Sequence, residues 1–380
     1  LKAKPHILNF FRCTFTGKAG VSLFLLLAVV ALSAFTYYQD TVPTGAFQLV
    51  YPANFGNRVN TPADNVTTKQ GVYLGRLLFY ETRLSANNTL SCSSCHQQQK
   101  AFTDGRALSP GVDKVLSTRN SMSLVNLLWA RKFFWDGRAA SLEEQAAMPL
   151  SNPHEMGQSL NVSAQKLNGI KSYTQLFRLV YGDTLVTGDR IVKAIAQFER
   201  TLISANSPYD RYLKGTYRPI PQELKGMALF NQAPQPEKGI RGANCAHCHG
   251  GAKNYMELFH NNGLDSIPKD AGIETITGLV QDRGRFKVPT LRNIALTGPY
   301  MHDGRFKTLD EVVDHYSNHI RQSASLSSFL QGESNEPGGR SLKLLPAEKK
   351  ELIAFLNMLT DSTFINNPQF ADPRLSALNK

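Results

Sequence analysis

With 380 residues the chain has room for two ordinary domains, and its 19% charged and 42% apolar residues describe a folded body, not a disordered one. The net charge of +12 does not signal nucleic-acid binding: no basic stripe interleaved with aromatics accompanies it, and Lys2, Lys4, Arg12 and Lys18 all sit in the leader.

Those four positives precede an apolar run from Val21 to Phe35, followed by Tyr37 and Tyr38. The run is short against the ~20 residues of a full membrane span. Residues 1–38 therefore read either as a signal peptide cut near Ala31-Leu-Ser33, or as an uncleaved N-terminal anchor with aromatics at the outer interface. Both place the body in the periplasm, and the second tethers it to the inner membrane. Cys13 is a lone, inert thiol in this segment. Residues 39–63 carry Pro43, Pro52 and Pro62 among Gly and Asn, which suits an extended linker.

Beyond the linker the chain repeats itself. A helical pattern, Gly71-Val-Tyr-Leu-Gly-Arg-Leu-Leu-Phe79, leads to Cys92-x-x-Cys95-His96; a second, Gly226-Met-Ala-Leu-Phe230, leads to Cys245-x-x-Cys248-His249. Each half then carries an Arg-Asn pair, Arg119-Asn120 or Arg292-Asn293. An ungapped match follows, Asp136-Gly-Arg-Ala-Ala-Ser-Leu-Glu-Glu-Gln145 against Asp303-Gly-Arg-Phe-Lys-Thr-Leu-Asp-Glu-Val312. Each half closes on an amphipathic helix, Ile191–Phe198 with Leu202 and Leu352–Leu356 with Leu359, begun near Asp189 and Pro346. The expected fold is all-α, two cytochrome c-like haem domains in tandem with few or no strands: 64–206 and 207–365, then a tail over 366–380. Ser323–Ser341, rich in Ser and Gly, reads as a mobile surface loop.

The Cys-x-x-Cys-His signature, met twice, points to covalent c-type haem. The two thiols form thioethers with the haem vinyl groups, and the following His becomes an axial ligand. Zinc would not require His in the same place after both pairs, and a thioredoxin-like pair needs no His. Cys92, Cys95, His96, Cys245, Cys248 and His249 thus bind two haem c groups, with His96 and His249 on iron. The sixth positions are open in the first reading. The first half offers His154, Met122, Met148 and Met156; the second offers Met301, His302, His315, Tyr316 and His319. The repeat offset of 167 residues sets Pro149, which cannot ligate, opposite Tyr316, which can, although a helix-packing role for that tyrosine stays open.

The runs Phe134-Trp-Asp-Gly-Arg138 through Pro149 to Asn152-Pro-His-Glu-Met-Gly157, and Phe286-Lys-Val-Pro-Thr-Leu-Arg-Asn293 through Arg305, resemble the bacterial diheme cytochrome c peroxidase and MauG superfamily over roughly residues 53–362. The resemblance implies that hydrogen peroxide is reduced at the N-terminal haem, with electrons relayed through the C-terminal one. It makes Glu155 the proton-moving carboxylate, with Gln145 beside it, Pro149 shaping the pocket and Trp135 lying between the haems. It also implies one calcium ion held by the Asn120 side chain and the Thr297 and Pro299 carbonyls, and a haem-propionate contact for His302. Two departures lean towards the MauG-like branch: the loop Gln97–Ser117 holds no His to close the first haem, and Tyr316 stands where switchable peroxidases carry methionine. The electron source would be a small cytochrome, a quinol chain or a protein substrate, with no nucleic acid. The rival functions are MauG-like oxidation of a partner protein and a non-catalytic diheme electron carrier.

Overall fold

Amphipathic segments of about three turns, several with a polar residue ready to cap them, make helices carry nearly all the regular structure. A computed structural model describes residues 42–374; the leader and Cys13 lie outside the described residues. Helices Lys69–Phe79, Leu142–Ser151, Leu160–Asn168, Lys171–Tyr181 and Gly188–Glu199 build the first half, and Pro221–Asn231, Leu309–Asn318 and Pro346–Asn357 the second. The only paired strands among the described residues are Phe259–His260 and Phe286–Lys287, antiparallel with His260 opposite Phe286. The fold is mostly helical, as expected.

Helix starts follow side-chain chemistry. Thr68, Ser141 and Thr308 each accept a hydrogen bond from an N–H in the first turn. The closing helix of the first half is capped by Thr187, which accepts from the Arg190 N–H, whereas Asp189 lies inside the first turn. Pro346 does open the other closing helix, where the missing N–H costs nothing.

The two halves repeat one device at their central crossing. Helix 69–79 packs on 188–199, and 221–231 packs on 346–357. A Cβ on Gly75 would lie 1.8 Å from the Ala194 carbonyl oxygen, and one on Gly226 would lie 1.8 Å from that of Glu351. Glycine is required at both, because the backbones touch there. Phe79 and Phe198, and likewise Phe230 and Phe355, then meet at steep ring angles of 62° and 58° across the crossing, with ring centres 5.3 Å and 5.0 Å apart.

The offset of 167 residues continues through the backbone. Asn126 and Asn293 both adopt left-handed φ (59° and 62°), both precede a 3-10 turn, and both donate their N–H to the carbonyl at the end of a closing helix, Leu202 or Leu359. Phe134 and Met301 follow at φ 65° and 75°, and the pairs Phe133–Ala139 and Tyr300–Phe306 close equivalent loops. The counterpart of Asn293 is therefore Asn126, not Asn120. The expected pairing of Arg119-Asn120 with Arg292-Asn293 is wrong: those dipeptides match in letters, but they serve different places in the fold.

Several contacts bind the halves into one body. Asp361 Oδ2 accepts from Ser204 Oγ and the N–H groups of Ala205 and Asn206. Phe364 and Phe370, near the end of the described chain, pack with Phe79, Phe102 and Phe198 of the first half. Arg292, fully buried, reaches across to the Ser204 carbonyl at 3.3 Å and, within its own half, makes two 2.7 Å bonds to the Asp210 carboxylate. Burial alone would raise the Asp210 pKa, yet the guanidinium holds it below the ordinary value. Replacing Arg292 by Met strands a buried carboxylate, and an equilibrium denaturation curve should show a loss of about 3–5 kcal/mol. A loss under about 1 kcal/mol would deny the pair its structural role.

The segment 323–341 differs from the expected free loop. Leu326 is 3% exposed, and Asn335 accepts from the Gly242 N–H while donating to the Gly242 and Leu342 carbonyls. Its small polar residues serve as internal hydrogen-bonding groups.

Candidate haem sites

Both Cys-x-x-Cys-His segments contain a single helical turn, Cys92–Cys95 and Ala246–His249, and residues three apart on such a turn share one side, as the paired thiols do. None of the four thiols is in a disulfide. Burial pushes all four up, Cys95 to about 11 and Cys245 to about 12, so they stand as neutral thiols.

The histidines are prepared alike. His96 Nδ1 donates to the Phe102 carbonyl at 2.8 Å, and His249 Nδ1 to the Pro289 carbonyl at 3.1 Å. A carbonyl can only accept, so the proton sits on Nδ1 and the Nε2 lone pair is free. Burial lowers both pKa values, His249 to about 4, which keeps the rings neutral. A neutral imidazole with an oriented Nδ1–H is the form that ligates iron. The residues present fit haem c at both motifs.

Around the second motif lies a cavity of about 280 Å³, lined by Cys245, Cys248 and His249 and by a mostly apolar wall. Tyr316 and Met301 line it too. Asn262 Nδ2 donates to Tyr316 Oη and to Met301 Sδ, each at 3.3 Å, so two ligand candidates meet at one place. Burial pushes the Tyr316 phenol up to about 12. Two of the other candidates are tied elsewhere. His315 is tied through Nε2 to the Asn262 carbonyl at 2.9 Å, and His319 pairs with Asp314 at the surface. His302 stacks on Phe286, with ring centres 3.7 Å apart and an angle of 12°, in the wall of the cavity.

Sequence reasoning missed His260. Its Nδ1 meets Ser327 Oγ at 3.2 Å, while its buried Nε2 has no partner and the residue lines the cavity. A buried nitrogen without a partner, on the wall of this cavity, suits contact with an acidic group bound there. No short motif marks this residue; the strand pairing with Phe286 places it.

The same cavity reaches the first half through Asn120, Met122 and Trp135. Trp135 Nε1 donates to the Asn120 carbonyl at 2.8 Å, and the Asn120 N–H donates to the His302 carbonyl at 2.7 Å. Asn120 Nδ2 donates to the Arg106 carbonyl at 2.7 Å, which turns Oδ1 the other way. Asn120, Thr297 and Pro299 share this wall. Among the described residues no group of three or more His, Cys, Asp or Glu side chains is arranged to hold a metal ion, so any cation there would take amide and carbonyl oxygens.

Near the first motif, Glu155 lies close enough for its charge to raise the Cys95 thiol pKa. Asn152 Nδ2 donates to Glu155 Oε1 at 2.7 Å, which leaves Oε2 free. Gln145 Oε1 is buried without a partner, and Pro149, four residues on in the same helix, has no N–H to give the Gln145 carbonyl. Three of this half's four ligand candidates are occupied elsewhere: His154 pairs with Asp113 at the surface, Met148 packs against the cluster of Phe133 and Leu142, and Met122 lines the other cavity, while Met156 is buried next to Glu155.

Two Cys-x-x-Cys-His turns with pre-oriented imidazoles, set in one repeated helical frame, define a diheme c-type cytochrome. Residues 69–218 match the family model described as di-haem cytochrome c peroxidase. The chain is 33% identical over 302 residues to the methylamine utilization protein MauG of Methylophilus methylotrophus, covering 79% of this chain and 85% of that protein. It is 37% identical over 246 residues to a cytochrome c551 peroxidase of Nitrosomonas europaea, covering 63% and 71%. The crystal structure of a MauG-like protein associated with microbial copper homeostasis superposes with a TM-score of 0.78 at 34% identity, covering 87% of this chain and all of that one. The chain belongs to the diheme cytochrome c peroxidase and MauG family. It is a peroxidase-like oxidoreductase, and the family implies haem c as its cofactor.

Proposed function

We propose that this protein reduces hydrogen peroxide at the haem held by Cys92, Cys95 and His96, with electrons relayed by way of Trp135 from a haem held by Cys245, Cys248, His249 and Tyr316. The two halves, 64–206 and 207–365, then serve as tandem cytochrome c-like domains, the first peroxidatic and the second for electron transfer. Haem iron, when bound, supplies the redox-active centre that peroxide meets. The observation that carries the reading is the free Oε2 of Glu155 beside the first haem motif, in a half whose His154 and Met148 side chains are engaged elsewhere.

Glu155 Oε2 takes the proton from one peroxide oxygen and returns it to the other as the O–O bond breaks. Asn152 holds the carboxylate in place through Oε1. On this reading Gln145, whose buried Oε1 has no partner, stands beside Glu155, and Pro149 of the same helix gives the site a wall that cannot ligate. Trp135, anchored on the Asn120 carbonyl, stands between the first half and the second cavity. Asn120 Oδ1 with the Thr297 and Pro299 carbonyls forms an oxygen-only calcium site there, and His260 Nε2 donates to a propionate of the second haem. Electrons come from a small cytochrome, a quinol chain or a protein substrate, outside the cytoplasmic membrane.

Low-temperature EPR of the resting ferric protein tests the assignment. One high-spin and one low-spin signal are expected, with the high-spin signal lost on adding peroxide. Two low-spin signals would overturn the open first site.

A second reading, oxidation of a partner protein, is favoured by Tyr316 in the second cavity and by the absence of any His in the loop 97–117, both MauG-like features. Peroxide-dependent change in the mass of a co-purifying protein would support it.

A further inference from the structure

We infer that a second, surface pocket takes a small aromatic acid bearing phenolic hydroxyls and feeds its electrons to the haem held by His249. The inference rests on the peroxidase reading for its oxidant, but not for its binding site.

The pocket, about 530 Å³, is lined by Phe55, Arg58, Trp129, Arg131, Lys253, Tyr255 and Glu257, with the backbone of Gly56 and Asn57. Three of its cations have no carboxylate partner. Arg58 and Arg131 are exposed, with no ion pair or hydrogen bond among the described residues. Lys253 Nζ donates to the Phe55 carbonyl at 2.8 Å and lies 5.5 Å from the Trp129 ring centre. The only acid in the wall, Glu257, spends Oε1 on Lys287 Nζ at 2.8 Å. Three uncompensated cations in one concavity call for an anion. Trp129, Phe55 and Tyr255 call for a flat apolar body beneath it.

The inner wall adds two unsatisfied groups. Tyr255 Oη and Glu257 Oε2 are buried and have no hydrogen-bond partner. Polar atoms rarely stay so unless something else completes them. A bound ring that turns these two side chains towards it gives Glu257 Oε2 a phenolic donor and Tyr255 Oη an acceptor, while a carboxylate at the far end of the ring meets the cations.

Tyr255 is also the partition. It lines both this pocket and the cavity that holds Cys245, Cys248 and His249. One side chain thus separates a bound reductant from the second haem cavity. The balance closes with peroxide as oxidant. A catechol carboxylate loses two electrons and two phenolic protons to become the ortho-quinone. Peroxide gains those two electrons and two protons, its O–O bond breaks, and two waters form.

The probe is 3,4-dihydroxybenzoate with the diheme holoprotein. Isothermal titration should show saturable binding that weakens at least tenfold in Arg58→Ala/Arg131→Ala and at least tenfold for catechol, which lacks the carboxylate. Peroxide-driven oxidation of 3,4-dihydroxybenzoate should show a KM raised at least tenfold in the same variant. Turnover with hexaammineruthenium(II), a cationic reductant, should stay unchanged. Saturable binding without turnover by either reductant would leave the site standing and remove the peroxidase reading. Turnover with ruthenium but no saturable binding would overturn the pocket. So would a result in which the two arginines matter only for an acidic partner protein.

Discussion

Replacing Tyr316 by Met should raise the reduction potential of the haem held by His249 on the order of 0.2 V, within the roughly 0.8 V that axial ligands command. An anionic oxygen favours ferric iron, and a thioether favours ferrous. Burial alone keeps the Tyr316 phenol neutral, with its pKa pushed up to about 12, so a phenolate here requires the positive charge of the metal. The surroundings sharpen the test. Met301 Sδ shares the Asn262 Nδ2 donor with Tyr316 Oη, both at 3.3 Å, so a second ligand waits in the same place. Tyr316→Phe should therefore also raise the potential, as Met301 takes over. Tyr316→Phe with Met301→Leu should instead give a five-coordinate, high-spin second haem. Potentiometric titration with EPR separates the three variants. An unchanged potential in Tyr316→Met would show that the phenol only packs.

The haem motifs were plain in the sequence because thioether attachment fixes residue types at fixed spacing, and the local turn does the rest. Helix type and position were legible for the same reason, since Leu, Ile and Phe recur at helical intervals over 188–199 and 346–357. The repeat was legible in part. Its offset of 167, read from Asp136 and Asp303, also relates Leu124-x-Asn126 to Leu291-x-Asn293, yet the louder Arg-Asn coincidence at 119–120 drew the match away. What the repeat conserves there is a left-handed backbone donating to a closing helix, and side-chain letters carry that only weakly. His260 and the orphaned Tyr255 and Glu257 were not legible at all. They acquire meaning from cavities closed by residues far along the chain, such as Phe286 and Ser327 around His260. The Ser-rich 323–341 segment misled for a related reason: small polar residues suit solvent and buried hydrogen-bond networks equally, and only Asn335 meeting Gly242 decides between them.

Glu155→Gln should lower kcat/KM for peroxide by about 10²- to 10⁴-fold, the span that a positioned proton-transfer group contributes. The substitution is nearly isosteric. The carboxylate's side-chain bond is the one from Asn152 Nδ2 to Oε1, which a glutamine oxygen can accept equally well. The 3.0 Å backbone bond from the Glu155 N–H to the Asn152 carbonyl, and the 2.8 Å bond from the Val112 N–H to the Glu155 carbonyl, are untouched. Fold and haem attachment should therefore survive, and resting spectra should match the parent. What is lost is the ability of Oε2 to accept and return a proton, so peroxide would still reach the site but break slowly. Asn152→Ala separates position from chemistry: it frees the carboxylate to wander and should cost less, with the pH profile kept. Stopped-flow mixing with peroxide reads both. A Glu155→Gln rate within threefold of the parent would remove this carboxylate from the proton path and shift attention to Gln145, whose buried Oε1 is the other unpaired polar atom in this half's candidate set.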